Sequence, residues 1–439
     1  MKHAAGESCG LAVAGASIAA ALAISGCTAN STSAVEISGG IPWSALDGAT
    51  AAPTAGTDPC AVWNKDGAAA VKNRLTGELE KIVTSQIIGA HVSPGAAVVV
   101  GCGDKAIVLL GRGNRSYDDA TAKKVSVDTT LYDLASVQKP IIGATALTLE
   151  KRGKMNLTAP VSTYLPGYTG DSKSKVTIEQ LLMHRAGMNP PGKDDLPYKS
   201  IIGSATTPGA VQKNILSQAP RVEPGGSYSY SNVGYSIAGM AISSAAGQPL
   251  DGAVRTAVLE PLGMTKTQFN PNPSENTCAP TSSDYNLADT FTCKPQDWLS
   301  RAEGGVAGHA GLFATAEDMA KFAAMLANQG SLNGKQVLTP DQVARMAKSQ
   351  PNASYGLAAR TNSAGRYGPF MGPQAFGHTG WNGTSFVVDP VSRMWIVGLA
   401  NVSLGQKVEG ETKPLNNFLG AFAAMGEAVA NNYSALANQ

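Results

Sequence analysis

A serine and a lysine three positions apart, Ser136 and Lys139, stand in the stretch LYDLASVQKP, just before an apolar segment that predicts a helix. Residues three apart share one face of a helix, so the lysine amine would lie beside the serine hydroxyl. A serine becomes a nucleophile when a neighbour removes its proton, and a lysine can do so when burial or a nearby cation lowers its pKa. The pair predicts acyl-transfer chemistry. The alternative is a solvated helix cap, because Ser-x-x-Lys is common by chance.

A tyrosine and an asparagine, Tyr230 and Asn232, lie ahead of an apolar helical segment in PGGSYSYSNVGYSIAGMAI. A phenol can pass a proton to a leaving group if cations lower its pKa. The asparagine can donate a hydrogen bond to a substrate carbonyl while its oxygen accepts one from Lys139. The alternative is a tyrosine-rich turn, because Tyr228 and Tyr235 are close by in the sequence.

A third segment, FGHTGWNGTSFVVDP, leads through His378, Thr379 and Gly380 into a predicted strand. An acyl substrate could align antiparallel along the edge of such a strand. The backbone N–H of Trp381, together with that of Ser136, could then form an oxyanion hole. The alternative for His378 is a surface histidine whose hydrogen bonds are satisfied locally.

Predicted strands near both ends of the chain must bring these three segments together. One hairpin turns at 101–104, and a second runs from 385–388 through a turn to 394–399. Helical spacing predicts a helix before the first hairpin and a last helix with one apolar face formed by Phe418, Phe422, Met425 and Val429. The pattern predicts a split α/β domain, at about 63–155 and 355–436, with an all-helical insertion at about 156–354.

In this order, the segments resemble the serine β-lactamase and penicillin-binding-protein superfamily, especially class C enzymes, serine DD-peptidases and family VIII esterases. The resembling stretches are LYDLASVQKP, LLMHRAGM, PGGSYSYSN, GGVAGHAGLFATAEDMAKF and GHTGWNGTSFVVDP. The resemblance implies an α/β fold of the β-lactamase/transpeptidase type, with an antiparallel sheet flanked by helices. It also implies catalysis through a covalent acyl-enzyme.

The resemblance implies that Ser136 is the acylated nucleophile and that Lys139 is its base or proton relay. Tyr230 would exchange protons with the leaving group. Asn232 would orient Lys139 and the substrate amide.

The third segment would bind the substrate. His378 and Thr379 would face Tyr230 and the substrate carboxylate, and Gly380 would let the acyl chain pack closely. Many relatives have Lys where His378 stands, and a neutral imidazole attracts a carboxylate weakly. We therefore expect a DD-carboxypeptidase-like enzyme acting on peptidoglycan stem peptides, ahead of an esterase acting on short-chain or envelope-lipid esters. A true β-lactamase ranks below both, and a non-catalytic protein that binds wall fragments is the alternative from another class.

The composition limits which other classes of function the protein could have. The chain has 439 residues, 43% hydrophobic and 15% charged, which is typical of a globular body. The net charge is +2 and no run of Lys and Arg stands out, so we expect no nucleic-acid partner. The five histidines form no metal-ligand cluster, so we expect no metal and no cofactor. We also expect a monomer.

The N-terminus predicts export. Lys2 and a short apolar run precede Ile24-Ser25-Gly26-Cys27, which resembles the lipobox of bacterial lipoproteins. We expect a lipoprotein signal peptide at 1–26, a lipid on Cys27, a flexible tether at 27–62 and the catalytic body at 63–436. The protein would then be anchored at the outer face of the bacterial cytoplasmic membrane. The alternative is an ordinary secretory signal, cleaved near Ala23 or Gly26.

Four cysteines remain in the predicted mature body: Cys60, Cys102, Cys278 and Cys293. An even number fits an oxidising compartment, and four cysteines allow three pairings. The shortest set joins Cys60 to Cys102 and Cys278 to Cys293, but the sequence leaves the pairing open.

Overall fold

The central sheet is formed by strands from the two ends of the described chain. The computed structural model describes residues 58–117, 123–188, 198–275, 277–282, 290–362, 372–405 and 414–438. The strands are β1 (Gly95–Cys102), β2 (Lys105–Gly113), β3 (Thr130–Asp133), β4 (Gln268–Phe269), β5 (Thr277–Cys278), β6 (Thr281–Ser282), β7 (Thr290–Phe291), β8 (Leu312–Ala314), β9 (Ser331–Leu332), β10 (Lys335–Gln336), β11 (Arg360–Thr361), β12 (Phe376–Gly380), β13 (Thr384–Val388) and β14 (Met394–Ala400).

The central sheet has six strands in the order β11-β12-β13-β14-β1-β2, and every neighbouring pair is antiparallel. Both hairpins predicted from the sequence are present, as β1–β2 and β13–β14. Because β14 pairs with β1, the two ends of the chain meet in the middle of the sheet. The long segment between β2 and β11 therefore lies, in sequence, between strands of one sheet.

Helices cover both faces of this sheet. They are α1 (Ala68–Ile82), α2 (Gln138–Lys151), α3 (Ile178–Leu182), α4 (Lys199–Ile202), α5 (Pro208–Ser217), α6 (Asn232–Ala246), α7 (Leu250–Val254), α8 (Glu260–Leu262), α9 (Trp298–Ala302), α10 (Ala316–Ala327), α11 (Pro340–Ala347) and α12 (Pro414–Ala437). Short π-helical turns at Val83–Ile88 and Arg255–Leu259 extend α1 and α7.

Strand β1 is buried along its whole length because its two faces pack against different helices. Ala96, Val98 and Val100 join the apolar core under α1 and α12, whereas Ala97 and Val99 join the larger core around α2 and α10. Alternate residues of a strand point to opposite faces, so a continuous apolar run is what a doubly covered strand requires. The predicted apolar face of α12 lies in the first of these cores.

The stretch predicted as an all-helical insertion also contains strands. Between residues 156 and 354 lie β4 to β10, and β8 joins β3 in a second sheet with the order β4-β8-β3-β5. Helix α10 also lies in this stretch, yet it packs on the central sheet. These strands are two or three residues long, too short to show a pattern of alternating hydrophobicity, and the strands of the second sheet pair with segments distant in the sequence.

The predicted N-terminal boundary is only partly within the described residues. Residues 1–57, including the predicted signal peptide, Cys27 and most of the tether, lie outside them. The last residues of the predicted tether are held in place, because Pro59–Asn64 forms a 3-10 helix and Cys60 is bonded to Cys102. The second disulfide joins Cys278 to Cys293, so the pairing is the shortest of the three. No helix within the described ranges has the length and apolar character needed to span a bilayer.

Candidate active site

The segment that carries Ser136 begins with a sharply bent backbone. Strand β3 ends at Asp133, and a single 3-10 turn, Ala135–Val137, leads into α2. Ala135 has a φ of 47°, in the left-handed region that non-glycine residues rarely adopt. The Asp133 carboxylate holds this turn by accepting hydrogen bonds from Ala135 N at 3.0 Å, Gln296 N at 2.7 Å and Asn382 Nδ2 at 2.9 Å. The bend presents Ser136 at the start of the helix, although its hydroxyl does not cap that helix.

Ser136, Lys139 and Tyr230 are in mutual contact. The Ser136 hydroxyl oxygen lies 2.9 Å from Lys139 Nζ and accepts a hydrogen bond from the Tyr230 hydroxyl at 2.7 Å. Lys139 is fully buried, whereas Ser136 and Tyr230 are partly exposed. The partly exposed Ser136 is therefore in contact with an amine, that of Lys139, which solvent cannot reach.

Burial changes the proton affinity of both partners of Ser136. It lowers the pKa of the Lys139 amine to about 7, against an opposing effect of the Asp297 carboxylate and with help from the Arg360 guanidinium. It raises the pKa of Tyr230 to about 12, although Arg360 and the hydrogen bond to Ser136 act in the opposite direction. At neutral pH, a large fraction of Lys139 is a neutral amine that can accept a proton, whereas Tyr230 is a proton donor.

Asn232 does not make the contact with Lys139 that the sequence predicted. Its Nδ2 donates to the Tyr198 hydroxyl at 2.9 Å, and its buried Oδ1 has no hydrogen-bond partner. Lys139 donates instead to the backbone carbonyl of His309, at 3.1 Å. The prediction was wrong here because the competing acceptor, His309, comes from a segment 170 residues away.

His378 is not a surface residue. It is fully buried in β12, its Nε2 lies 3.2 Å from the Tyr355 hydroxyl and its Nδ1 lies 2.9 Å from the carbonyl oxygen of Thr379. A carbonyl can only accept, so Nδ1 is the protonated nitrogen and Nε2 accepts from Tyr355. Burial and the nearby Arg360 and Lys139 charges hold the pKa of His378 well below its ordinary value. The ring is 6.4 Å from that of Tyr230, but it is neutral and its polar atoms are occupied.

The residues that follow His378 lie beside the turn that carries Ser136. Thr379 and Trp381 are partly exposed, so they can reach a substrate. Gly380 is buried, and a Cβ there would lie 2.5 Å from the carbonyl oxygen of Leu134 and 3.4 Å from the Ala135 Cβ. Glycine is needed at this position because β12 runs directly against the turn before Ser136.

Arg360 was not predicted from the sequence, although its charge acts on several groups of this site. It lies on the edge strand β11, where it is paired in register with Gly377, and its guanidinium carbon is 5.3 Å from the centroid of the Tyr230 ring. Its positive charge acts on Lys139, Tyr230, His184 and His378. Nothing in the sequence near residue 360 marks it, because its role depends on the pairing of β11 with β12.

His184 was also missed as a site residue. It lies in LLMHRAGM, one of the stretches that resemble the family, but the sequence pattern predicts no role for it. Its Nδ1 accepts from the backbone N–H of Ser231 at 3.0 Å, and its ring lies 4.2 Å from the Tyr230 ring. Burial, followed by the charges of Lys139 and Arg360, holds its pKa well below the ordinary value. His184 is a neutral packing surface that orients Tyr230.

No group of three or more His, Cys, Asp or Glu side chains is placed to hold a metal ion anywhere in the described residues.

Comparisons with known proteins give the family of the chain. A family model described as "Beta-lactamase" matches residues 79–418. A protein of Salmonella typhimurium named "Putative D-alanyl-D-alanine carboxypeptidase" is 34% identical over 327 residues, which are 65% of this chain and 73% of that protein.

Solved structures share the fold at lower identity. The hydrolase EstCE1, described as having promiscuous acyltransferase activity, superposes with a TM-score of 0.65 at 20% identity, covering 81% of this chain and 100% of the other. A penicillin-binding protein homologue from Caulobacter crescentus gives 0.63 at 20% identity, covering 82% and 97%. A family VIII carboxylesterase gives 0.60 at 20% identity, covering 79% and 96%.

Proposed function

Because the chain belongs to the β-lactamase family and is a serine hydrolase of that family, we propose that it is a D-alanyl-D-alanine carboxypeptidase acting on the stem peptides of the bacterial cell wall. The proposal depends above all on one observation. The Ser136 hydroxyl is in hydrogen-bond contact with a buried amine on one side and a phenol on the other. This is the pair of groups that a serine needs to lose one proton and to protonate a leaving amine.

In the proposed acylation step, Ser136 Oγ attacks the carbonyl carbon of the scissile amide while its proton moves to the neutral amine of Lys139. The carbonyl oxygen becomes an oxyanion, and the backbone N–H groups of Ser136 and Trp381 would stabilise it. When the C–N bond breaks, the leaving nitrogen takes a proton from Tyr230, which recovers one from the Lys139 ammonium. The products are a Ser136 acyl ester and a free D-alanine amine. Water then cleaves the ester and restores the hydroxyl.

A carboxypeptidase also has to bind the free carboxylate at the end of its substrate. His378 is unsuited to this, because it is neutral and buried. Arg360 is partly exposed and its charge lies over the Tyr230 ring, on the side of the site formed by β11 and β12. A guanidinium binds a carboxylate through two parallel hydrogen bonds, so Arg360 is the residue proposed to recognise the C-terminus. The name of the Salmonella relative supports the same substrate class.

An esterase acting on short acyl or envelope-lipid esters is the second candidate. The specific observation in its favour is the missing cation at position 378, because an ester substrate needs no carboxylate partner. The chemistry at Ser136 would be the same, except that an alcohol would leave in place of an amine. Only the preferred substrate separates the two proposals.

The first experiment tests the nucleophile. A fluorophosphonate probe should label the wild-type protein on Ser136, and the Ser136→Ala variant should remain unlabelled with an unchanged circular dichroism spectrum. Equal labelling of the two proteins would contradict the assignment, and an unlabelled wild type would favour the wall-fragment-binding protein.

The second experiment tests the substrate. A peptide ending in D-Ala-D-Ala and a p-nitrophenyl ester are offered to the same preparation, together with a fluorescent penicillin. A carboxypeptidase should release D-alanine and form the penicillin adduct. Fast ester turnover without either of these results would replace the carboxypeptidase proposal with the esterase.

We propose further that the protein is exported and held at the outer face of the cytoplasmic membrane by a lipid on Cys27. Two disulfides support an oxidising compartment, since such bonds are rare in the reducing cytosol. The wall peptides of the proposed reaction would be within reach of an enzyme anchored there.

A further inference from the structure

A cluster of polar side chains lies directly behind Lys139, and the steps derived above do not use it. His309 Nε2 is 2.7 Å from Asp297 Oδ1, and His309 Nδ1 is 2.9 Å from the Ser236 hydroxyl. That hydroxyl donates to Glu303 Oε1 at 2.7 Å. His309 is fully buried, Ser236 and Glu303 are buried, and the Asp297 side chain is 17% exposed. The arrangement of Ser236, His309 and Asp297 resembles a catalytic triad, but the burial of Ser236 excludes attack on a substrate.

Three elements fix the imidazole of His309. Ser236 projects from α6, the helix that begins at Asn232. Asp297 caps the N-terminus of α9 by accepting from Ser300 N at 2.8 Å. The loop itself lies tightly on α6, since a Cβ at Gly308 would come within 1.9 Å of the Tyr235 carbonyl oxygen. The position of His309 is therefore set from both sides, by its ring and by its backbone.

The backbone carbonyl of this same residue binds the Lys139 amine, at 3.1 Å from Nζ. A neutral amine has two N–H groups and one lone pair. To accept the serine proton, the lone pair has to point at Ser136 Oγ while the N–H groups point elsewhere. The His309 carbonyl takes one N–H and so determines the direction of the lone pair.

We propose that His309 and Asp297 act together as positioning residues for the acylation base: the imidazole fixes the carbonyl that orients the Lys139 amine, and the carboxylate holds the imidazole and supplies negative charge. This inference rests on the proposed role of Lys139, which it extends to the groups behind the amine.

The effect of the Asp297 charge on the pKa of Lys139 has a definite sign. Although burial raises the pKa of Asp297, its interactions with His309 and Ser300 outweigh burial and hold that pKa below the usual value, so the group is an anion. This anion raises the pKa of Lys139, against the larger effect of burial. Among the described residues, the other titratable or charged groups around the amine and this cluster are His309, Glu303, Arg360, Tyr230, Tyr235, His184 and His378. Arg360 lowers the pKa of Lys139.

The test is the pH dependence of Ser136 labelling by a fluorophosphonate in the full chain. The variant Asp297→Asn keeps a good helix cap and an oxygen that can accept from His309, but it removes the charge. Loss of a neighbouring anion lowers the pKa of an amine, so the acid limb of the labelling rate should move to lower pH, by about one unit. A limb that stays in place, or moves to higher pH, would overturn the inference.

A matched control is Asp318→Asn, which removes a buried carboxylate that also accepts backbone hydrogen bonds, from Lys266 and Thr267, outside this cluster. It should leave the limb unchanged, so an equal shift in both variants would indicate general loosening and refute the specific role. If Asp297→Asn does not fold, the variant His309→Gln tests the inference. Its labelling rate at high pH should fall about tenfold or more. A rate within about twofold of wild type would contradict the inference. A wild type that is never labelled would refute the proposed function instead.

Discussion

Replacing Arg360 with glutamine should separate the two candidate substrates. The guanidinium is replaced by a neutral amide of similar polarity on the edge strand β11. If Arg360 binds the terminal carboxylate of a peptide, the loss should be confined to substrates that carry this charge. A substrate without a carboxylate has nothing to lose at this position.

The size of the effect follows from the kind of interaction. A hydrogen bond to a charged group contributes about 1.5–3 kcal/mol, which corresponds to roughly a 10- to 150-fold reduction in kcat/KM. The substitution has a second consequence, because Arg360 also lowers the pKa of Lys139. Without it, that pKa rises above about 7 and the acid limb of the pH profile moves to higher pH. Rates should therefore be compared near ~pH 9, where most of the amine is neutral in both proteins.

The assay compares a peptide ending in D-Ala-D-Ala, its C-terminal amide and a p-nitrophenyl ester. We expect a 10- to ~150-fold loss for the free acid and less than about a threefold change for the other two. The matched control is Arg112→Gln on β2, at the opposite edge of the same sheet, where the arginine pairs with Glu80 at 2.7 Å. Equal losses for all three substrates in Arg360→Gln, or no loss for the free acid, would refute this role of Arg360.

Four further results are expected. In the wild type, kcat/KM should fall on the acid side of about pH 7, because the Lys139 amine must be neutral to take the serine proton; a rate that is flat from about pH 5 to 9 would exclude it as the base. Tyr230→Phe should slow acylation by about 10²- to 10³-fold in single-turnover kinetics with little change in substrate affinity, and an unchanged rate would assign proton delivery to another group. Replacing both Cys60 and Cys102 by serine opens a loop of 42 residues and should lower the free energy of unfolding by about 4 kcal/mol in urea titrations, whereas an unchanged midpoint would show that this bond adds no stability. The Cys27→Ala variant should leave the membrane fraction, and its retention there would contradict lipid anchoring.

The features that the sequence predicted well depend on neighbours within the chain. The two long hairpins follow from apolar runs on either side of turn residues, and the last helix follows from the spacing of its apolar residues. The structure has them as β1–β2, β13–β14 and α12. The pairing of Ser136 with Lys139 is of the same kind, because a spacing of three places two side chains on one face. The short strands β4 to β10 escaped prediction because each has only two or three residues, and β4, β5 and β8 pair with distant segments.

The site also divides into features that the sequence predicts and features that depend on the tertiary structure. The sequence by itself supplied the hydroxyl, the amine and the phenol. It also singled out Gly380, but for packing of the acyl chain, whereas in the structure the missing Cβ lets β12 lie against Leu134. Tertiary structure alone decided their proton states: Lys139 has a lowered pKa because the fold removes it from water, and His378 stays neutral because it is buried beside two cations. Tertiary structure also places Arg360, from the edge strand β11, at the site. The Lys139 amine contacts the His309 carbonyl and not Asn232. Desolvation and long-range charge depend on distances in space, which the order of residues along the chain does not contain.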